Sequence, residues 1–395
     1  MALRARAEDI AEFDAAEPAR APSIRRLALT EFRCYAAARI EVEPQPVVLS
    51  GPNGAGKTNL LEAISFLAPG RGLRRARLGE IDRRGGSGAW AVSALLTTSE
   101  EAIQLGTGRD ATSENGERRL LRIDGAPAKS QATLSRLVNM VWLTPQMDRM
   151  FIEGASGRRR FLDRLVFGFD PEHSARLSAY ERALRERAKL LRDGGGDAAW
   201  LAALEDEMAA QGVAIAAARA QCVSRLDAAC STASSAFPRA RLAMSGEVES
   251  WLDEMPALAA EDMLRRRLEG QRRIDAESGV STIGPHRADL AVQHADTGMD
   301  AALCSTGEQK ALLLAILLAQ AKLLAAQRGA PPVMLLDEVA AHLDAARRTA
   351  LFAEIVALRT QAWLTGTDLA LFDSLRDAAQ FFAVADARIT KVMYP

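Results

Sequence analysis

The chain has 395 residues, 48% hydrophobic and 26% charged, with 50 Lys+Arg against 51 Asp+Glu for a formal net charge of −1. That length is a prior of two to three domains at about 150 residues each, and the apolar content excludes a disordered chain. The longest apolar run, near Ala311–Ala319, falls short of a membrane span, and the four cysteines (Cys34, Cys222, Cys230, Cys304) form no C-x-x-C pair, which excludes a disulfide scaffold and argues against structural zinc.

Residues 1–22 mix acids, alanines and arginines without an apolar core, so they read as a disordered N-terminal tail rather than a secretory signal. From Ser23 to Pro46 the apolar residues Ile24, Leu27, Leu29, Phe32, Ile40 and Val42 predict an opening hairpin or meander. Val47–Leu49 is a short buried strand running into a glycine-rich turn, and Thr58–Leu67 is a helix. Strands follow at Ala89–Thr97, Ala102–Gly106, Leu120–Ile123 and Val138–Leu143, with turns at Asn115-Gly116 and Asp124-Gly125. From Gly157 to about Gly270 the pattern is helical and alanine-rich. Two long helices, Pro171–Leu191 and Ala198–Ala233, are split by Gly194-Gly195-Gly196 and form a short antiparallel arm. After Gly284 come a strand at Ala288–Gln293, a long apolar helix at Thr306–Gln327, a strand at Pro332–Leu336, a helix at Ala345–Leu358 and a strand at Gln361–Thr365. Strands alternating with helices imply a largely parallel sheet in an α/β fold. The α/β lobe is discontinuous, 23–145 and 284–395, around an inserted helical lobe at 146–283.

Three motifs carry chemistry. Gly51-Pro52-Asn53-Gly54-Ala55-Gly56-Lys57-Thr58 fits the phosphate-loop pattern G-x-x-x-x-G-K-[ST], with a strand before it and a helix after it. The glycines let backbone N–H groups approach phosphate oxygens at a helix N-terminus. Lys57 reaches the β- and γ-phosphates of ATP and the Thr58 hydroxyl ligates Mg²⁺. Val333-Met334-Leu335-Leu336-Asp337-Glu338 delivers two acids at the C-terminal end of a buried strand. Asp337 holds Mg²⁺ directly or through water, and Glu338 polarises the attacking water as general base. Ser305-Thr306-Gly307-Glu308-Gln309-Lys310 opens the apolar helix, where a capping residue and an anion site coincide.

Together these motifs resemble the ABC-type ATPases. The resemblance implies that Ser305 and Gly307 meet the γ-phosphate held by a second copy in a head-to-tail dimer, and that Asp344, in Ala341-His342-Leu343-Asp344, is the loop that reads the opposite site. Four further segments narrow it: Leu27–Tyr35, Gly157-Arg158-Arg159-Arg160-Phe161-Leu162-Asp163, Ile283-Gly284-Pro285-His286-Arg287-Ala288-Asp289-Leu290, and Asn59 closing Gly-Lys-Thr-Asn. They resemble the RecF family of bacterial recombination mediators, from about Ser23 to the C-terminus. That resemblance implies an SMC-like ABC ATPase head with a mixed β-sheet and an inserted α-helical lobe, in a cytoplasmic protein. It implies an ATP-dependent homodimer, sequence-nonspecific binding to DNA at single-strand/duplex junctions, and slow DNA-stimulated ATP hydrolysis. It also implies work with RecO and RecR to direct RecA loading at single-strand gaps in recombinational repair and replication restart, with no membrane partner. The alternative is an ABC-type ATPase subunit of another system, a transporter partner or a structural DNA clamp. A separation of 251 residues between Gly56 and Gly307 argues against the transporter form.

The remaining candidates keep two readings each. Arg33 lies near the nucleotide by resemblance, or is a salt-bridged structural arginine. Tyr35 stacks on adenine or belongs to the core. In the loop Pro145-Gln146-Met147-Asp148 the water-positioning residue is Gln146, with Asp148 the alternative. The transporter-type switch histidine is replaced by Leu364-Thr365-Gly366-Thr367, where Thr365 or Thr367 offers a hydroxyl to the γ-phosphate and Thr367 is preferred. His286 is assigned an ordering or interface role. Arginine clusters nominate Arg71, Arg74, Arg75 and Arg77 first, and Arg158–Arg160 second, with Arg158 named from it, as DNA contacts, Arg159 alternatively bracing the lobes.

Overall fold

The computed structural model describes residues 21–394 apart from 87, 99–100, 111, 113–117, 129–131, 195–196 and 233–235. Most of the expected N-terminal tail, the Asn115-Gly116 turn and two residues of the triple glycine lie outside those described residues. The chain opens with β1 (Ser23–Phe32), β2 (Tyr35–Glu41), β3 (Val47–Ser50) and α1 (Lys57–Ser65), then β4 (Ala91–Thr97), β5 (Ala102–Arg109), β6 (Arg119–Ile123), β7 (Ala126–Pro127), α2 (Ala132–Leu137) and β8 (Met140–Leu143). A helical stretch follows: α3 (Ala155–Phe169), α4 (His173–Arg192), α5 (Ala198–Thr232), then β9 (Ala240–Ser245), α6 (Glu247–Glu254), α7 (Ala257–Gly270) and α8 (Arg272–Ser278). The chain closes with β10 (Asp289–His294), α9 (Thr306–Arg328), β11 (Val333–Leu336), α10 (Ala345–Ala357), β12 (Ala362–Gly366), β13 (Gln380–Ala385) and β14 (Arg388–Val392).

Two six-stranded sheets form. One is antiparallel, in the order β2-β1-β4-β5-β6-β7. The other, in the order β14-β13-β3-β12-β11-β8, is parallel except for its edge strand β14. Its strands β3, β12, β11 and β8 are buried at every residue, as parallel strands covered on both faces must be. Alternate side chains serve opposite faces. Val48, Leu143, Leu336 and Leu364 face a core built with α3, α5, α9 and α10. Val47, Leu49, Leu335 and Trp363 face one built with α1 and the antiparallel sheet. The largely parallel sheet expected from alternation is therefore six of the fourteen strands. The opening strands form a separate antiparallel layer because hairpins pair locally.

Within the segment read as helical, β9 is a strand, paired antiparallel with β10. Strands β13 and β14 were not expected either. The helix α9 is the one among the described residues with the length and composition to cross a membrane, and most of it is buried in the core of the chain. Gln320 in its middle donates to the Leu165 carbonyl of α3 at 2.9 Å.

The hairpin α4–α5 packs with α7 around Tyr180, Met208, Val213 and Leu264. At 35 residues, α5 runs about 50 Å. Arg187 of α4 is fully buried, donating to Glu205 (2.9 Å), Asp275 (2.7 Å), the Ser281 hydroxyl (2.7 Å) and the Leu268 carbonyl (2.7 Å). A guanidinium there is tolerable because two carboxylates and two further acceptors replace its water.

Candidate nucleotide-binding site

The loop between β3 and α1 is shaped by what presses on it. Gly51 has φ +150°, and a Cβ there would stand 2.1 Å from the Val384 carbonyl oxygen of β13. Gly56 has φ +113°, and its Cβ would stand 2.6 Å from the Tyr35 hydroxyl and 2.9 Å from the Cys34 sulfur. Neither position admits a side chain. Tyr35 is fully buried and its hydroxyl donates to the Gly56 carbonyl at 3.2 Å, so the core reading of Tyr35 holds. Burial keeps its phenol well above the ordinary range, so it stays a donor.

The loop lines a cavity of about 320 Å³ with Asn53, Gly54, Gly56, Lys57, Thr58, Asn59, Leu73, Arg74, Thr144, Pro145, Gln146, Asp337 and Glu338. The two strand-end motifs, 279 residues apart, meet here: the Thr58 hydroxyl donates to Asp337 at 2.9 and 3.1 Å. The Lys57 ammonium donates to the Gly51 (2.7 Å) and Pro52 (3.1 Å) carbonyls and lies 3.4 Å from Glu338 Oε1. An ammonium held by two neutral carbonyls and one carboxylate can exchange them for the stronger acceptors of a phosphate chain. Thr58 and Asp337 present a hydroxyl and a carboxylate on one cavity wall, hard oxygen donors that suit Mg²⁺, which takes few protein ligands and completes its shell with water and phosphate oxygens. The bound ion would neutralise phosphate charge.

Thr365 of β12, at zero exposure, joins the two acids. Its hydroxyl donates to Asp337 Oδ1 at 2.8 Å and accepts from the Glu338 amide at 2.8 Å. Glu338 has φ +50°, a left-handed backbone that a non-glycine residue holds only against a cost of about 1–3 kcal/mol. On its other side the Lys310 ammonium reaches the Glu338 carbonyl at 3.5 Å and Asp148 Oδ2 at 3.7 Å. Burial lowers the Lys310 pKa, with Asp148 opposing. Neither role was visible in the sequence. Lys310 reads as one more polar residue of the first turn of α9, and Thr365 as a hydroxyl for phosphate. Its two hydrogen bonds take Thr365 out of that choice. Thr367 is exposed and outside the cavity lining. Gln146 lines the cavity, whereas Asp148 is turned to Lys310.

Other expected residues are placed elsewhere. Arg33 donates to both oxygens of the buried Glu62 (2.9 and 2.6 Å) and to the Glu80 carbonyl (2.6 Å), a brace on α1 rather than a cavity wall. Arg74, nominated for DNA, lines the nucleotide cavity and donates to Asn59 (2.9 Å) and Glu62 (3.3 Å). Arg158 is corrected outright. Its guanidinium makes a bidentate bond to Asp289 (2.7 and 2.7 Å) and reaches the carbonyls of Met150, Phe151 and Glu153, leaving no free fork for a phosphate. Arg159 donates to the Ala288 carbonyl at 2.6 Å. His286 accepts from the Tyr180 hydroxyl through Nδ1 (2.7 Å) and donates from Nε2 to the Ser281 carbonyl (2.9 Å), a neutral imidazole whose pKa burial lowers.

Ser305 and Gly307 stand at the N-terminus of α9 and do not line the cavity. Ser305 caps the helix by accepting from the Glu308 amide at 3.3 Å while Glu308 accepts from the Ser305 amide at 2.9 Å. Asp344 caps α10, accepting from the Arg347 amide at 2.8 Å.

Comparison with known proteins agrees with this geometry. The family model described as the RecF/RecN/SMC N-terminal domain matches residues 23–386. A DNA replication and repair protein RecF of Mesorhizobium japonicum is 49% identical over 363 residues, 91% of this chain and 96% of that protein. The one from Rhizobium etli is 48% identical over 369 residues, 93% and 98%. A solved structure of the recombination mediator protein RecF with ATP, of the RecFOR pathway, superposes with a TM-score of 0.79 at 22% identity, covering 94% of this chain and 99% of that one. An Smc head domain with an extended coiled coil from Pyrococcus furiosus superposes at 0.53 and 15% identity, covering 94% and 96%. At these identities the structural likeness speaks for the fold alone.

Proposed function

The chain belongs to the RecF family, and from that premise we propose that it is an ATP-switched DNA-binding protein of DNA replication and recombinational repair. ATP with Mg²⁺ occupies the cavity over Lys57, Thr58 and Asp337, and Glu338 serves as base for the attacking water. Closure joins two copies head to tail, and hydrolysis releases them. The observation that carries this reading is the place of Ser305 and Gly307. They offer a helix N-terminus to an anion yet take no part in their own chain's cavity, which supports their delivery to the cavity of a second copy. Thr367, a neutral hydroxyl where transporters carry a histidine, favours slow turnover, stimulated by DNA. The protein works in the cytoplasm with RecO and RecR to direct RecA loading at gaps, and the ATPase lobe of residues 23–145 and 284–395 flanks the helical lobe of 146–283.

The test is sedimentation of Glu338→Gln protein with ATP and a gapped duplex, and Lys57→Met as control. An ATP-dependent dimer that retains DNA, with the control monomeric, is the expected result. A protein that stays monomeric in saturating ATP, or dimerises and ignores DNA at low salt, overturns the reading.

A further inference from the structure

The loop of residues 70–77 sends its arginines to three places. Arg74 lines the nucleotide cavity, Arg71 and Arg77 a second cavity, and Arg75 a third, of about 420 Å³, among α3, α4 and α5. Five guanidinia line this third cavity, from Arg75, Arg159, Arg160, Arg185 and Arg219, against the carboxylates of Asp163 and Glu181. The carboxylates are already engaged. Asp163 accepts from Arg219 (2.8 and 2.9 Å) and from His173 (2.9 Å), and Glu181 lies 3.7 Å from Arg185. Arg159 makes one bond, to the Ala288 carbonyl at 2.6 Å. Arg75 and Arg160 have no hydrogen-bonded or ion-paired partner among the described residues. Burial first, then the neighbouring Arg160 and Arg71 charges, lower the Arg75 pKa, against the opposing pull of Glu181 and Asp163.

We propose that this cavity between the loop and the helices holds a phosphate group of the DNA backbone. Guanidinium forks match phosphate oxygens in pairs, and those of Arg75 and Arg160 are unspent, whereas the Arg219 fork is taken by Asp163 and the Pro285 carbonyl. The inference rests on the DNA-binding reading above and assigns it a place. It separates Arg75 from its neighbours Arg71, Arg74 and Arg77, and within the second cluster it takes Arg160 in place of Arg158, two residues further along α3.

The experiment is fluorescence anisotropy of a labelled gapped duplex against the full chain over a salt series. It compares the parent, Arg75→Ala/Arg160→Ala, Arg75→Lys/Arg160→Lys and Arg71→Ala/Arg77→Ala. Binding of a fluorescent ATP analogue and the thermal midpoint check that each variant is folded. The alanine pair is expected to bind DNA about ten- to a hundredfold more weakly at low salt. Its slope of log affinity against log salt should shrink by about 0.9, the value of one phosphate contact. The lysine pair keeps the slope with weaker binding, since charge remains and the fork is gone. Parental affinity and slope in the alanine pair overturn the assignment while leaving DNA binding in place. An equal loss from Arg71→Ala/Arg77→Ala reduces the effect to net charge and overturns it too. Loss of inorganic phosphate binding by calorimetry with unchanged DNA binding identifies a free-anion site instead. A parent that ignores DNA at low salt removes both this inference and the reading beneath it.

Discussion

Replacing Thr365 by valine tests whether hydrolysis depends on how Glu338 is held. Valine keeps the shape of threonine at a position with zero exposure, so the change is confined to one hydroxyl. That hydroxyl makes the 2.8 Å bond to Asp337 and takes the 2.8 Å bond from the Glu338 amide. Stranding a buried amide costs about 1–3 kcal/mol, and a bond to a charged group contributes about 1.5–3 kcal/mol. Asp337 keeps its Thr58 donor, so the two losses overlap and unfolding stability should fall by about 2–4 kcal/mol. Glu338 sits at φ +50° with its carboxylate 3.4 Å from Lys57. Freed of the Thr365 bond, it can relax from that strained backbone, and the carboxylate moves with it. Single-turnover hydrolysis of radiolabelled ATP should slow about ten- to a hundredfold, equal to about 1.4–2.7 kcal/mol of barrier. Nucleotide affinity, which rests on the phosphate loop, should change by less than about threefold. Thr365→Ser restores the hydroxyl and should recover most of the rate. A valine variant turning over within twofold of the parent, or a serine variant no better than valine, would refute the reasoning.

Gly56→Ala should abolish binding of a fluorescent ATP analogue while leaving a folded chain by circular dichroism, because the new Cβ meets the Tyr35 hydroxyl at 2.6 Å on a backbone with φ +113°. Arg187→Met removes the guanidinium between the buried Glu205, which keeps Arg272, and the buried Asp275, which keeps only the Thr282 amide and hydroxyl, and should lower urea-unfolding stability by about 3 kcal/mol; the further mutation of Asp275 to a neutral residue should recover part of it. His286 supplies a pH dependence. Burial lowers its folded pKa, so as pH falls through about 6.5 the unfolded chain takes up the proton first. Its contribution is complete above that pH and is lost on acidification towards the folded pKa. Thermal midpoints from about pH 8 to about pH 5.5 should fall less steeply in His286→Phe than in the parent, from a lower starting value, and equal slopes would exclude this histidine as the source.

Much of the nucleotide site was legible in the residues because its chemistry is local. A phosphate loop needs glycines, a lysine and a hydroxyl in eight consecutive positions. The acids need only the end of a buried strand, so Lys57, Thr58, Asp337 and Glu338 are legible each within its own segment. The same holds for helices α4, α5, α9 and α10, whose periodicity lies within their own length. What the tertiary structure decided was every matter of partnership. β9 looks like part of a helical stretch until β10 arrives to pair with it. Arg33 and Arg158 look like contacts for a ligand until Glu62 and Asp289 are placed against them. Arg74, Arg75 and Arg77 are neighbours in one short loop, yet they face three separate cavities. Thr365 and Lys310 are ordinary residues of a strand and a helix, and they hold the Glu338 backbone only because folding brings β11, β12 and α9 together. Residue type determines which bonds a group can make, and it alone set the chemistry of this chain. Which bonds are made depends on contacts between distant segments, and that selection belongs to the fold.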